Sequence, residues 1–179
     1  MKIKIIKVGD LETNCYLIIK NNKCLIVDPG DEFEKIKDAI TCLNLTPLKV
    51  LITHSHYDHT GALEDILNEY NIDKIDYSNY TNDSNIISID EFKFKMIYTP
   101  GHKSDLITYY FYNENKMFCG DFIFKNNIGR WDLETGSEKD MFNSISKIKN
   151  YQKDIIIYPG HGETTNLNYE IQHNIYFNI

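Results

Sequence analysis

Three histidines and an aspartate, His54, His56, Asp58 and His59, crowd into six residues directly after the apolar run Val50-Leu51-Ile52. Folding does not ask for such crowding, because packed imidazoles lose solvation and repel one another once protonated. A divalent cation removes both difficulties, since it binds neutral imidazole and carboxylate directly. The spacing His-x-His-x-Asp-His therefore predicts a metal site at the end of a short buried strand.

Further donors follow apolar runs in the same way. Met96–Tyr98 leads into Thr99-Pro100-Gly101-His102, and Ile155–Tyr158 leads into Pro159-Gly160-His161. Between them, Met117-Phe118-Cys119-Gly120 ends on Asp121. Each run reads as a strand that supplies rigidity, and each glycine lets the backbone turn so that the next side chain leaves the sheet edge. Alone, a Pro-Gly-His turn or a turn aspartate would be ordinary; in this company His102, His161 and Asp121 become candidate ligands. Imidazole and carboxylate suit zinc, iron or manganese. Two cations close together favour a shared anion, and Asp121 is the natural choice, leaving six ligands to divide into two sets of three. His173, on the last helix, is read as a surface or packing residue.

The rest of the chain bounds the setting. Its 179 residues fit one domain, 1–179, without low-complexity tracts, repeats or a linker. A net charge of -7 argues against nucleic acid as a partner. No run is long and apolar enough for a membrane span, and the lysines of Met1–Lys7 interrupt any leader. Cys15, Cys24, Cys42 and Cys119 are widely spaced without a Cys-x-x-Cys pair, so reduced thiols and a cytoplasmic location are expected. The expected partner is a small-molecule substrate; oligomeric state is left open.

Periodicity predicts strands at 2–8, 15–20, 23–27, 50–53, 74–77, 86–89, 92–98, 106–112, 116–119 and 154–158. It predicts helices at 32–45, 60–70, 137–149 and 168–177, with Ser137 as an N-cap. Runs of strands punctuated by helices point to an α+β fold with two sheets and outer helices.

Taken in order, Thr13-Asn14-Cys15-Tyr16, Asp28-Pro29-Gly30, the histidine cluster, Thr99-Pro100-Gly101-His102, Gly120-Asp121 and Pro159-Gly160-His161-Gly162 resemble the metallo-β-lactamase superfamily, and within it the small glyoxalase II-like hydrolases. The resemblance covers most of the chain. It implies an αββα sandwich of two mixed β-sheets flanked by helices, with a two-metal site at one edge. It also implies the division of ligands: His54, His56 and His102 on one cation, Asp58, His59 and His161 on the other, Asp121 bridging.

Departures from the family pattern are Ala62 where many relatives have a second glycine, and Lys103-Ser104-Asp105 after His102. Ile128-Gly129-Arg130-Trp131-Asp132 looks like the glyoxalase-like Gly-Arg-x-Asp motif. Full-length glyoxalase II enzymes carry a further C-terminal helical domain that helps hold glutathione; this sequence ends soon after His161, so glutathione specificity does not carry over.

The resulting expectation is a metallo-hydrolase of a thioester or related acyl compound. Two divalent ions, zinc first and iron or manganese as alternatives, would carry a bridging hydroxide as nucleophile. Asp58 and Asp121 are the candidate catalytic carboxylates. Arg130 is a candidate contact for an anionic part of the substrate, with a surface ion pair as the competing reading. The alternatives are a mononuclear iron persulfide dioxygenase, a lactone, β-lactam or other ester hydrolase, a nuclease, and a non-catalytic metal-binding module. The acidic balance counts against the nuclease, and a carboxylate at Asp121 counts against the β-lactamase.

Overall fold

The lysines interspersed along β1 (Lys2–Val8) mark it as a sheet edge: it pairs on one side only, antiparallel to β2 (Thr13–Lys20). Strand β2 has no polar face, and its alternation sorts residues between two apolar layers. Cys15 and Leu17 face one core, Tyr16 and Ile18 the other. A strand buried on both faces needs cover on both, which is how the sandwich arises. The computed structural model describes residues 1–152 and 154–178.

Sheet one continues with β3 (Lys23–Val27), β4 (Thr46–Leu51) and the short β5 (Lys74–Ile75), in spatial order β1-β2-β3-β4-β5. The β3–β4 and β4–β5 pairings are parallel, so the sheet is mixed. The parallel crossovers are α1 (Phe33–Cys42) and, after β4, α2 (Tyr57–Thr60) with α3 (Leu63–Tyr70). Ile36 and Ile40 of α1 and Leu63 and Ile66 of α3 recur at helical spacing and are buried against Val50, Ile52 and Ile26.

Sheet two is built from β6 (Ile86–Ile89), β7 (Phe92–Tyr98), β8 (Ile107–Phe111), β9 (Lys116–Gly120), β12 (Ile156–Pro159) and β13 (Thr165–Asn166). The spatial order is β13-β12-β9-β8-β7-β6, and only the β9–β12 pairing is parallel. A hairpin of β10 (Ile123–Phe124) and β11 (Asn127–Ile128) stands apart. Helices α4 (Glu138–Ile148) and α5 (Leu167–His173) cover the outer face through Met141, Ile145, Ile148 and Leu167. Between the sheets lie Tyr16, Leu25, Leu51, Phe94, Tyr109, Phe111 and Phe118. The layers are thus α, β, β, α, as expected.

Several elements differ locally from what periodicity predicts. The strand placed at 50–53 begins at Thr46, because Pro47 can sit in the ladder where the register shifts beside Cys24. The helix expected over 60–70 is two pieces, and its first turn carries Asp58 and His59. The strand placed at 74–77 keeps two residues before a 3-10 turn, Tyr77–Asn79, capped by Asp76. The last helix stops at His173, and Asn174 caps a separate 3-10 turn. The Ser137 cap is present: its Oγ accepts from the Asp140 N–H at 3.2 Å. Among the described residues no helix is long and apolar enough to cross a membrane.

Candidate metal centre

Every donor leaves from the same edge of the sandwich. His54 follows β4, His102 follows β7, Asp121 follows β9 and His161 follows β12. The two sheets are tied together just below that edge. The Ile107 N–H donates to the Thr53 carbonyl at 2.8 Å, and the Asn14 N–H to the Gly160 carbonyl at 2.7 Å. The α2 turn that carries Asp58 and His59 packs so closely on Gly30 that a Cβ there would lie 1.7 Å from the Asp58 carbonyl oxygen. This is the physical content of the Asp28-Pro29-Gly30 string.

The donors form two clusters of three. In the first, His54 Nε2 lies 3.0 Å and His102 Nε2 2.9 Å from His56 Nδ1. In the second, Asp58 Oδ2 lies 3.1 Å from His161 Nε2 and 3.4 Å from His59 Nε2. Asp121 stands between them: Oδ1 is 3.4 Å from His59 Nε2 and 3.6 Å from His161 Nε2, while Oδ2 is 3.6 Å from His102 Nε2. His54, His59 and Asp121 form a third compact group, so the clusters adjoin.

The surrounding hydrogen bonds fix which nitrogen faces inward for four of the five rings, those of His54, His59, His102 and His161. His102 Nδ1 is 2.8 Å from the Arg130 carbonyl, and His161 Nδ1 is 3.0 Å from the Leu11 carbonyl. A carbonyl only accepts, so both Nδ1 atoms carry the proton and both Nε2 atoms present a lone pair. His59 Nδ1 donates to the Asp28 carboxylate at 2.9 Å. Thr53 Oγ1 donates to the same carboxylate at 2.6 Å and accepts from His54 Nδ1 at 3.1 Å. The Thr53 N–H also donates to Asp28, at 2.8 Å.

This arrangement fits a cation. His54 Nε2 and His102 Nε2 both turn lone pairs toward His56 Nδ1, and one N–H cannot satisfy both. His59 Nε2 and Asp121 Oδ1 are buried without a hydrogen-bond partner, where an unpaired polar atom is costly. Charge agrees with geometry. Burial first, and then the neighbouring imidazoles, hold His54 well below its ordinary value. Burial also opposes charge on His59, yet Asp28 and Asp121 together carry it up to about 10. A proton there occupies the position that a cation's charge would fill. Asp58 and Asp121 are both held below the usual carboxylate range, because histidines outweigh the opposing effect of burial.

Exposure is uneven across the site, with His56, Asp58 and His161 partly exposed. The His59, His54 and His102 side chains are at most 4% exposed, whereas those of Asp58 and His161 are 26% and 25% exposed. A cavity of about 550 Å³ adjoins His161, lined by Phe124–Asn127 and Gly162–Glu163.

All seven sequence-predicted ligands thus come together. Arg130 does not join them through its side chain, which is exposed and bound in a fork to Asp132 by two 2.7 Å hydrogen bonds. Its carbonyl is the part that reaches the site. His173 is exposed against Tyr169. Three residues that orient ligands, Thr13, Asp28 and Thr53, escaped the residue-by-residue reading. Two of them lie in strings that were visible in the sequence, Thr13-Asn14-Cys15-Tyr16 and Asp28-Pro29-Gly30.

Comparison with known proteins gives this geometry a family. The profile of the metallo-beta-lactamase superfamily matches residues 8–82 and 75–161, and the chain belongs to that superfamily. It is 30% identical over 207 residues to the probable metallo-hydrolase YqgX of Bacillus subtilis, covering 99% of this chain and 98% of that one. It is 29% identical to the hydroxyacylglutathione hydrolase GloC of Haemophilus influenzae, covering 99% of each. Among solved structures, the BLEG-1 B3 metallo-beta-lactamase superposes with a TM-score of 0.92 at 28% identity, over 98% of this chain and 99% of that one. The chain has the metallo-β-lactamase fold and is a metallo-hydrolase of this superfamily.

Proposed function

We propose that this chain hydrolyses a thioester or related acyl compound with two divalent cations, zinc foremost, held by His54, His56 and His102 on one side and Asp58, His59 and His161 on the other. The observation that carries the reading is the divided Asp121 carboxylate, with Oδ1 toward one cluster and Oδ2 toward the other. A single-metal centre would give the second set of donors no task. When bound, the cations supply water acidified to a pKa of about 7 and polarise the acyl carbonyl.

The chain's own residues hold and orient. Asp28 and Thr53 set the ring faces of His59 and His54, so the donors need no rearrangement. Asp58, held below the usual carboxylate range and partly exposed, accepts from Thr13 Oγ1 and faces His161 Nε2 at 3.1 Å, which supports its reading as a catalytic carboxylate at the open side of the second cluster. A thiol with a pKa of about 8.5 leaves as thiolate without a separate general acid. Arg130 can meet an anionic substrate only by exchanging Asp132 for it.

The test combines metal analysis with hydrolysis of S-lactoylglutathione and of other thioesters. Two equivalents of metal and thioester turnover are expected. Oxygen uptake with a persulfide substrate and one equivalent of iron would overturn the hydrolase reading.

A further inference from the structure

Strand β2 begins with Thr13-Asn14-Cys15-Tyr16, in sheet one, yet the side-chain hydrogen bonds of Thr13, Asn14 and Tyr16 go to Asp58 and to the turn that carries His161. Thr13 Oγ1 donates to Asp58 Oδ2 at 3.1 Å, the same oxygen that faces His59 and His161. Asn14 Nδ2 donates to the Pro159 carbonyl at 3.1 Å and to the Gly162 carbonyl at 3.0 Å. Its backbone N–H donates to Gly160 at 2.7 Å, so one residue grips the turn on both sides of His161. Tyr16 adds its hydroxyl to the Pro159 carbonyl. Thr13 and Asn14 are each 1% exposed.

The amide of Asn14 has a single usable orientation. Both of its N–H groups are committed to carbonyls, and a flipped amide would turn its oxygen onto acceptors. Its own Oδ1 is buried and unpartnered, so the residue accepts an unmet hydrogen bond to keep its grip on the turn. Among the described residues, no hydrogen bond from Thr13 or Asn14 reaches His54, His56 or His102. Thr53 orients His54, and the Arg130 carbonyl orients His102.

We propose that Thr13 and Asn14 are positioning residues for the Asp58–His59–His161 half-site alone, so that they set the affinity for the second cation and leave the first unchanged. This inference rests on the two-cation reading above. Thr13 directs the oxygen of Asp58 inward, and Asn14 fixes the turn from which His161 projects. Hydrogen bonds of this kind behind metal ligands typically change affinity by about 10–100-fold.

The experiment is a zinc titration of the full-length chain, stripped of metal and read against a competing chelator, for wild type, Thr13→Val and Thr13→Ser. Valine keeps the shape of threonine and removes the hydroxyl; serine restores it. We expect wild type to take two equivalents. Thr13→Val should take the first with unchanged affinity and the second about 10–100-fold more weakly, with recovery in Thr13→Ser. Asn14→Ala is expected to show the same split more strongly; should it fail to fold, the threonine pair carries the test. Equal weakening of both equivalents, or two unchanged equivalents in Thr13→Val, would overturn this inference and leave the two-cation reading intact. Wild type with one equivalent would overturn both.

Discussion

The two donor clusters lie at the same edge of the sandwich, yet they differ in charge, burial and support. The first is three imidazoles, with His54 and His102 buried, His56 partly exposed, and His54 held below its ordinary value by burial and its neighbours. The second contains a carboxylate, Asp58, and opens to solvent through Asp58 and His161. A largely buried imidazole cluster suits a cation that stays, because two of its three donors are shielded from water. An open cluster with a carboxylate suits the cation that meets substrate. Asp28 is the link between them, accepting from His59 directly and reaching His54 through Thr53.

The largest expected effect abolishes the comparison by striking both clusters. Asp121→Ala removes the carboxylate that faces each, so metal content and activity should fall together, activity by at least about a hundredfold. Full activity with unchanged metal would refute the bridging role. Gly160→Ala should separate the clusters. A Cβ at position 160 would stand 2.2 Å from Asp121 Oδ1 and 2.6 Å from His59 Cε1, within the second half-site. We expect one equivalent of metal to remain and activity to drop roughly tenfold to a hundredfold, by the scale of disturbed ligand support. Metal analysis alongside kcat measures both.

Smaller effects lie outside the donors. Arg130→Ala removes an exposed side chain already paired to Asp132, while its backbone carbonyl still holds His102. Metal content should not change, and KM for an anionic thioester should rise by no more than a few-fold, as for an exposed ion pair. A large fall in kcat would assign the guanidinium a closer role. The smallest effect is a control remote from both clusters. Burial works against the Asp83 carboxylate, but the Tyr98 N–H, Lys147 and the Tyr80 hydroxyl outweigh it and lower its pKa. Its stabilisation is present above the ordinary carboxylate range and is lost as pH falls through the lowered value. Asp83→Asn should therefore lower Tm at neutral pH, with the gap to wild type closing in acid, and should leave metal binding unchanged.

The seven donors were legible because metal chemistry leaves a local mark: histidines six residues wide in one place, and twice a histidine after a Pro-Gly turn that follows an apolar run. The strands were legible for a related reason. The apolar run Cys15–Ile18 of β2 is buried throughout, and the run Val50–Ile52 marks the buried end of β4 and the residue after it. The α2 turn was not, because Asp58 and His59 occupy a helix of four residues that carries too little periodicity to read. The β10–β11 hairpin and β13 are two-residue pairings, which tertiary contacts decide.

By itself, then, the sequence determined the donor types, their order along the chain and the layering that follows from apolar periodicity, since each of these depends on neighbours a few residues away. Tertiary structure decided the rest. It turned Asp121 so that its oxygens divide between two clusters, fixed the histidine tautomers through the distant carbonyls of Leu11 and Arg130, and bound Asp58 and the His161 turn to the start of β2. Those contacts span as many as 150 residues of chain, and no local pattern specifies them. They exist because two sheets that must bury their inner faces bring the ends of their strands to one edge.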